Sequence, residues 1–460
     1  MVENTIEGLR TQQWGVEGVR ATATLTIGVI PTAAKTLIVG GRTYTFRAAG
    51  DTDAYGEVSI GANAAAAQTN LRAALNGDAL NPANERVSCG VFAGNAATLT
   101  AHIPGTAGNS LAVTGTYTDD VGNSATAFTG GAFARGTAVA ATSKIAVEKL
   151  EWADDDENIY RPKFATGLLL RNRGKATAVQ HGTRFSFGDQ PVVWEQLMHW
   201  LTMAIEGDPA VVWDNSAGVY RWTFVRDPAA NPSPLSWTFQ RRFSTGLGAV
   251  EGTDIIDQRA SYAMLSELEI SWAQNEHLRM SGSGFARKFN SSAITSSLAL
   301  PTSELGVSAL SKVYADDAWG SLGGTLLAEQ VVGWAFRIGT GAMGLATAEG
   351  RTDLDFTKHI FNAEDVQIGL TMTLLLNPAR YTTESAKAAA GDIRAVEVQL
   401  AGSGGRLLKL DGLFQHTKPS LFKIGEQDGQ DIVEIEFEES TDQTNFLQVV
   451  VEHPTVHTVG

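Results

Sequence analysis

The sequence predicts a mainly β, α+β protein with two tandem β-sandwich domains, each with a flanking helix, and a small inserted α+β domain. Residues 21–135 are dense in Ala, Thr and Gly and lack tryptophan, whereas their flanks carry every tryptophan and most of the acid. Residues 170–289 and 354–453 share one order: a long strand, a helix and several long strands. The 460-residue length suits two to four domains.

These patterns predict five segments. Residues 1–20 form an N-terminal arm of the first sandwich, 21–135 the inserted domain and 136–290 the first sandwich. Residues 291–325 form a linker or extended loop, and 326–460 form the second sandwich. An inserted domain must leave and rejoin its host at nearby surface points. One large irregular β body is the alternative to a duplication.

The inserted domain is predicted to contain strands, a helix and then more strands. Residues 22–29 alternate as a strand does, and Gly40-Gly41 is a hairpin turn between two short strands. The alanine-rich stretch 63–76 is helical, with Leu71 and Leu75 on one face. Further strands are predicted at 98–103 and 111–117.

The body begins with an acidic run, residues 151–157. This run shows no clear hydrophobic periodicity and predicts a long loop that reaches about Gly167. A strand over 175–187 follows. Asp189 is a candidate cap and Pro191 a first-turn residue for a helix ending near 205. The remaining predicted elements are strands 220–225, 235–243, 260–272, 278–289, 331–338, 354–361 and 366–376, a helix over 383–390, and strands 395–400, 407–414, 432–437 and 446–452.

Composition excludes several classes of protein. The formal net charge of −15 disfavours ordinary nucleic-acid binding, although an acidic wall would let DNA slide past unheld. The single cysteine, Cys89, excludes an intrachain disulfide and a cysteine-built zinc site. No run of about eighteen apolar residues exists, and the N-terminus lacks a secretory pattern, so we expect no membrane insertion and no secretion.

We find no sign of an enzyme. Phosphate-binding loops, dinucleotide fingerprints and a nucleophile elbow are missing from the sequence. His453 and His457 lie four residues apart, but Pro454 disfavours a helical metal site. The run 154–157 lacks the alternation and glycine of a common calcium loop. We therefore predict no catalytic residue, no cofactor and no metal.

One strand places acids on a single face. Strict alternation over 432–438 puts Glu434, Glu436 and Glu438 on one side. This pattern is typical of a solvated sheet face, and it also suits the wall of a negatively charged channel. The tryptophans of the first body half are expected in cores or subunit contacts rather than as a stacking platform for sugar or nucleic acid.

Two sets of motifs resemble bacteriophage proteins. Gln13-Trp14-Gly15, Tyr160-Arg161-Pro162, Trp194-Glu195-Gln196-Leu197 and Tyr220-Arg221-Trp222-Thr223-Phe224 resemble the major tail tube proteins of long, non-contractile tailed bacteriophages. The insert resembles a β module that recurs inside phage tail proteins, through residues 22–26, 39–46, 105–109 and 129–131. The resemblance covers roughly residues 1–290.

The resemblance implies a structural virion protein of the tail, assembled in the host cytoplasm. Neighbouring sandwiches would pair strands edge to edge, so that inner sheets close into a barrel around a lumen. The lumen would hold the tape-measure protein and conduct DNA without binding it specifically. Rings would stack through loops and arms up to a tail terminator protein. Six sandwiches usually form a ring, so three two-sandwich chains, or otherwise six chains, are expected.

The same resemblance gives roles to residues. The candidate ring-stacking loop contains Trp152, Asp154, Asp155, Asp156, Glu157, Tyr160 and Arg161, and the candidate lumen-lining residues are Glu434, Glu436 and Glu438. The insert would decorate the outside, with cell-surface sugar as a candidate ligand. A receptor-binding or decoration protein that forms no tube is the main alternative, and a secreted carbohydrate-active enzyme is the third.

Overall fold

A computed structural model gives the fold of this chain. It describes residues 11–52, 54–145, 150–154, 157–159, 177–180, 182–226, 234–244, 255–274, 276–298, 304–306, 311–327, 330–345, 358–416, 423–427, 430–442 and 444–455. The described protein is mainly β, with several sheets and three α-helices, as the sequence predicted.

The inserted domain has its own sheets and its own core. After β1 (Thr11–Val16), which belongs to the body, its elements are β2 (Gly18–Ile27), β3 (Thr36–Val39), β4 (Arg42–Arg47), β5 (Glu57–Ser59), α1 (Ala64–Asn76), β6 (Val87–Cys89), β7 (Ala96–Pro104), β8 (Val113–Thr114), β9 (Asn123–Ala125) and β10 (Ala132–Phe133). One sheet contains β10, β2, β7, β6 and β9, and a second contains β5, β4, β3 and β8. All the buried apolar side chains of its cluster lie between Ala21 and Phe128.

The predicted hairpin and helix of the insert are confirmed. Gly40 and Gly41 have φ of 60° and 93°, the left-handed pair that a tight hairpin between β3 and β4 needs. Asn63 caps α1, because its Oδ1 accepts the Ala66 N–H at 2.9 Å. Leu71 and Leu75 are fully buried on the inner face of the helix.

The strand predicted over 111–117 is wrong for most of its length. Two short 3₁₀ segments, Thr106–Ser110 and Thr116–Asp119, flank the two-residue β8 instead. Gly115, with φ of 131°, breaks the extended run, and a Cβ there would lie 2.2 Å from the Thr36 carbonyl oxygen. Close packing of two backbones therefore overrides the local alternation.

The body supplies the remaining elements. These are β11 (Ser143–Lys144), β12 (Leu150–Asp154), β13 (Glu157–Ile159), β14 (Thr177–Gln180), β15 (Thr183–Pro191), α2 (Trp194–Ala204), β16 (Ala210–Asp214), β17 (Val219–Arg226), β18 (Trp237–Ser244), β19 (Ile255–Ala273), β20 (Arg279–Ala286), β21 (Asn290–Ser291), β22 (Ser311–Asp316), β23 (Val331–Leu345), β24 (Lys358–Leu375), α3 (Pro378–Ala390), β25 (Ile393–Ala401), β26 (Leu407–His416), β27 (Lys423–Gln427), β28 (Gln430–Glu439) and β29 (Leu447–His453).

Antiparallel pairing builds two large strand arrays in the body. The first, which we call the long sheet, has the order β12, β15, β20, β19, β23, β24, β28, β27. The second, the opposite sheet, has the order β16, β17, β29, β26, β25, β22. The first half of β19 turns away to pair with β18, which also pairs with β1.

One hydrophobic core lies between these arrays. Phe414 of the opposite sheet meets Phe336 and Phe437 of the long sheet, with ring centroids 5.7 and 6.2 Å apart. Helix α2 is buried within this core, and Trp200 packs 4.7 Å from Trp14 of β1. The same cluster contains side chains from both halves of the body, so the halves share a core.

The halves also share both sheets. Strand β19 pairs with β23 from Glu267↔Gly339 to Ala273↔Gly333. Strand β17 pairs with β29 from Tyr220↔His453 to Arg226↔Leu447. The body is therefore joined across the halves by two ladders of backbone hydrogen bonds.

Three body predictions need correction. Helix α2 begins at Trp194 after Val193. Asp189 and Pro191 lie in β15 instead: Pro191 lies opposite Arg279 of β20, and the Asp189 carboxylate forms an ion pair with Arg279. The stretch 291–325, expected to be a linker, contains β22, which pairs with β25 throughout its length. The stretch expected to be a loop from Glu151 contains β12, paired with β15.

The insert leaves and rejoins the body at one buried carboxylate. Glu17 is fully buried and accepts hydrogen bonds from the backbone N–H groups of Gly136 at 2.6 Å and Tyr262 at 2.7 Å. The hydroxyls of Ser236 and Thr238 donate to it at 2.9 and 2.8 Å. The Glu17 side chain thus joins the start of the insert, at Glu17 itself, and its end, at Gly136, to strands β18 and β19.

Replacing Glu17 tests this junction. Glu17→Ala leaves two buried N–H donors and two hydroxyls without their acceptor, so we expect the free energy of unfolding to fall by about 3 kcal/mol. Urea denaturation followed by tryptophan fluorescence measures the change. The exposed Glu426 is the matched control, and Glu426→Ala should be near neutral. A loss below about 1 kcal/mol for Glu17→Ala would contradict this account.

A second buried carboxylate makes stability depend on pH. Asp411 and Glu397 face each other across β26 and β25, and Lys409 Nζ lies 3.3 Å from Asp411 and 2.6 Å from Glu397. Burial raises the pKa of Asp411 to about 7, with Lys409 opposing and Glu397 reinforcing the rise. The folded state therefore retains a proton that the unfolded chain releases near pH 4.

This proton gives a measurable pH profile. Because the folded-state pKa is raised, the stabilising contribution is complete at low pH and is lost as pH rises toward about 7. Asp411→Asn removes the titration, so its stability relative to wild type should rise by about 2 kcal/mol between pH 5 and pH 8. Urea denaturation at both pH values measures this. Asp392→Asn, at an exposed position, should show no such rise; parallel profiles for wild type and Asp411→Asn would refute the assignment.

Candidate functional site

The long sheet has one buried face and one polar face. In β28, Val433, Ile435 and Phe437 are buried in the core. Glu434 and Glu436 alternate with them on the other side, followed by the exposed Glu438. The predicted placement of the three glutamates on one face is therefore confirmed, while their role as a lumen lining stays a prediction.

Strand register extends this face beyond β28. Glu434, Glu436 and Glu438 lie opposite Thr373, Thr371 and Gly369 of β24. Gly369 in turn lies opposite Arg337 of β23. The face therefore continues from acids to small or hydroxylated residues and then to one arginine.

Sequence reasoning missed two further acids on this face. Glu267 and Glu269 of β19 lie opposite Gly339 and Arg337 of β23, and Arg337 pairs with Glu267. Burial raises the pKa of Glu269, and the charge of Glu267 raises it further. The alternation Leu268-Glu269-Ile270 was a usable signal, but the bulge at Leu265–Glu267 hides its phase.

The face continues through serines to the margin of the sheet. Ser281 and Ser283 of β20 lie opposite Glu269 and Glu267. Ser283 lies opposite Ser186 of β15, and Ser186 lies opposite Glu151 of β12. We call this continuous surface, from Glu151 to Glu438, the acidic face. Acidic side chains outnumber basic ones on this face. The serines, threonines and glycines between them are small and do not cover it.

The long sheet has two edge strands, β12 and β27, which we call its margin strands. Within the described part of the chain, β12 pairs with β15 alone and β27 pairs with β28 alone. Ile424 of β27 lies opposite the buried Val433, yet 61% of its surface is exposed. A margin strand with an exposed apolar side chain is a template for pairing with another chain.

The predicted stacking loop contains the base of a long hairpin. Strands β12 and β15 pair first, and β13 and β14 pair beyond them. Trp152 packs into an aromatic group, 5.1 Å from Phe185, 5.1 Å from Phe239 and 4.8 Å from Phe289. This side chain therefore anchors the hairpin to the body.

The other predicted loop residues divide into two groups. Asp154 and Glu157 lie in β12 and β13. Asp155, Asp156, Tyr160 and Arg161 lie outside the described residues.

An open depression of about 900 Å³ lies at the foot of the hairpin, lined by residues such as Trp152, Arg184 and Met343.

The described residues contain neither a metal cluster nor a membrane-spanning helix. Within the described ranges, no three His, Cys, Asp or Glu side chains converge where a metal ion would be held. Among the helices that the structure describes, none has the length and apolar character needed to cross a bilayer. Burial lowers the pKa of His199 to about 4, which is the behaviour of a neutral core histidine.

No family model matches this sequence, and no curated protein matches it significantly.

Proposed function

We propose that this chain is a structural virion protein that self-assembles into stacked rings and forms a phage tail tube, whose acidic lumen conducts DNA. The observation that carries the proposal is the long sheet, which spans both halves with a core on one side and the acidic face on the other. Its two margin strands supply the edges through which copies would join.

Ring closure follows from these margins. An open sheet with two available edges is completed when β27 of one copy pairs with β12 of the next, because a closed ring leaves no free edge. The β19–β23 ladder inside the chain would be repeated between chains at this junction. Three chains, each supplying two halves, would then form a pseudo-hexameric ring, with six chains as the alternative.

The chemistry of the acidic face suits a conduit. Glu434, Glu436, Glu438, Glu267 and Glu269 would surround the lumen and repel phosphate, so DNA would pass without adhering. The formal net charge of −15 has the same sign. The tape-measure protein would occupy this channel before DNA does.

The remaining parts take positions outside the lumen. The β12–β15 hairpin would contact the neighbouring ring, and the last ring would meet a tail terminator protein. The insert, with its own core, would decorate the exterior. Under this proposal the protein is located in the virion tail after assembly in the host cytoplasm.

Electron microscopy tests the proposal through the β27 margin. Purified wild-type protein should form rings or tubes, and mass measurement should give three chains per ring. Ile424→Asp places a charge where the next copy would cover an apolar side chain, so we expect the critical concentration for assembly to rise by at least about thirtyfold.

A matched control separates assembly from folding. Val225 of β17 in the opposite sheet is 46% exposed, and Val225→Asp should assemble like wild type. Both variants should keep the wild-type thermal unfolding midpoint. Compact wild-type oligomers without tubes would favour a decoration or receptor-binding protein, and undiminished assembly of Ile424→Asp would refute the β27 junction.

Deleting the insert tests its independence from the tube. Joining residue 20 to residue 136 through a short Gly-Ser linker removes a separately packed core and keeps Glu17 with its partners Ser236 and Thr238. We expect tubes of unchanged inner diameter and reduced outer diameter in electron micrographs. Loss of assembly by a folded deletion variant would show that the insert is structural.

A further inference from the structure

A cleft of about 520 Å³ lies between the insert and the body. The β3–β4 hairpin, Tyr55–Gly56 and Glu85 form its insert side, and Val211–Trp213 of β16 form its body side. The two sides are fixed to each other, because Tyr220 Oη donates to the Ala83 carbonyl at 2.7 Å. The cleft is therefore a feature of the assembled chain and does not belong to either part alone.

A buried ion pair lies at this cleft. Arg42 and Glu85 are 6% and 9% exposed, and Arg42 Nη2 lies 2.7 Å from Glu85 Oε1. The same oxygen accepts the Trp213 backbone N–H at 3.2 Å. Glu85 Oε2 is buried and has no hydrogen-bond partner among the described residues. The pair is thus electrically balanced and retains an unused acceptor.

Aromatic and open surfaces complete the cleft. The Tyr55 side chain is 37% exposed, and the Arg42 guanidinium carbon lies 5.3 Å from the centre of its ring. Trp213 is half-buried, with its ring 4.6 Å from that of Tyr220. A Cβ added at Gly41 would meet no atom within 4 Å, so the hairpin leaves this wall open.

We infer that this cleft binds a neutral saccharide. Pyranose rings present apolar C–H faces that pack on indole and phenol rings, and hydroxyls that hydrogen-bond to carboxylate and guanidinium groups. The balanced Arg42–Glu85 pair offers no net positive charge to an anionic ligand, and the net charge of −15 repels one. The inference rests on the proposed role of the insert as an outward-facing module.

Titration with defined sugars tests the inference. Saturation-transfer NMR and calorimetry on the full chain would use four neutral sugars: maltohexaose, cellohexaose, mannohexaose and chitohexaose. Hyaluronan and heparin oligosaccharides would serve as anionic comparison ligands. We expect saturable binding of at least one neutral hexasaccharide, with Kd between roughly 10 μM and 1 mM. Trp213→Ala and Tyr55→Ala should each weaken it about tenfold.

Controls keep the outcome clear. Trp319→Ala removes a half-buried tryptophan that does not line the cleft and should bind like wild type. Thr43→Arg fills the cleft without removing its ion pair and should abolish binding. Absence of binding to all four neutral sugars at 10 mM ligand (about the weakest useful affinity), binding of anionic sugars alone, or full binding by Thr43→Arg would overturn the inference. Tube formation is read separately by microscopy, so either proposal can fail without the other.

Discussion

The pairing of β19 with β23 is the constraint on which the rest of the body depends. It aligns Leu268 and Ile270 with Ile338 and Phe336, so the side chains of both halves enter one core. The same register places Glu269 beside Arg337 on the other face. Because side chains in a strand alternate strictly, one ladder fixes both the buried surface and the acidic surface. A slip of one residue would exchange them.

Local patterns predicted those elements whose partners lie nearby in the sequence. The Gly40-Gly41 hairpin and α1 needed only turn geometry, a cap and alanine-rich spacing. The alternation in β28 also placed Glu434, Glu436 and Glu438 correctly, although β24 is distant in the sequence, because β28 pairs with β24 and β27 without a bulge. These are cases where propensity and tertiary structure agree.

Other elements depended on distant partners. Asp189 and Pro191 look like a helix start, yet pairing with β20 and the contact between Asp189 and Arg279 keep them extended. Strand β22 has few local signals and is defined by β25, about eighty residues away. Glu267 and Glu269 belong to the acidic face because of the register of β19 against β23. Sequence periodicity cannot supply that register across a bulge.

The carboxylate of Glu17 has a consequence for how this protein can diversify. Glu17 belongs to the body and accepts hydrogen bonds from Gly136, Tyr262 and Thr238. The body itself therefore holds together the two points where the insert begins and ends. A different module with neighbouring termini could be attached there, provided that it also replaces body contacts such as that of Tyr220 with Ala83. In the proposed tube, exchange of such modules would change the outer surface and leave the lumen unaltered.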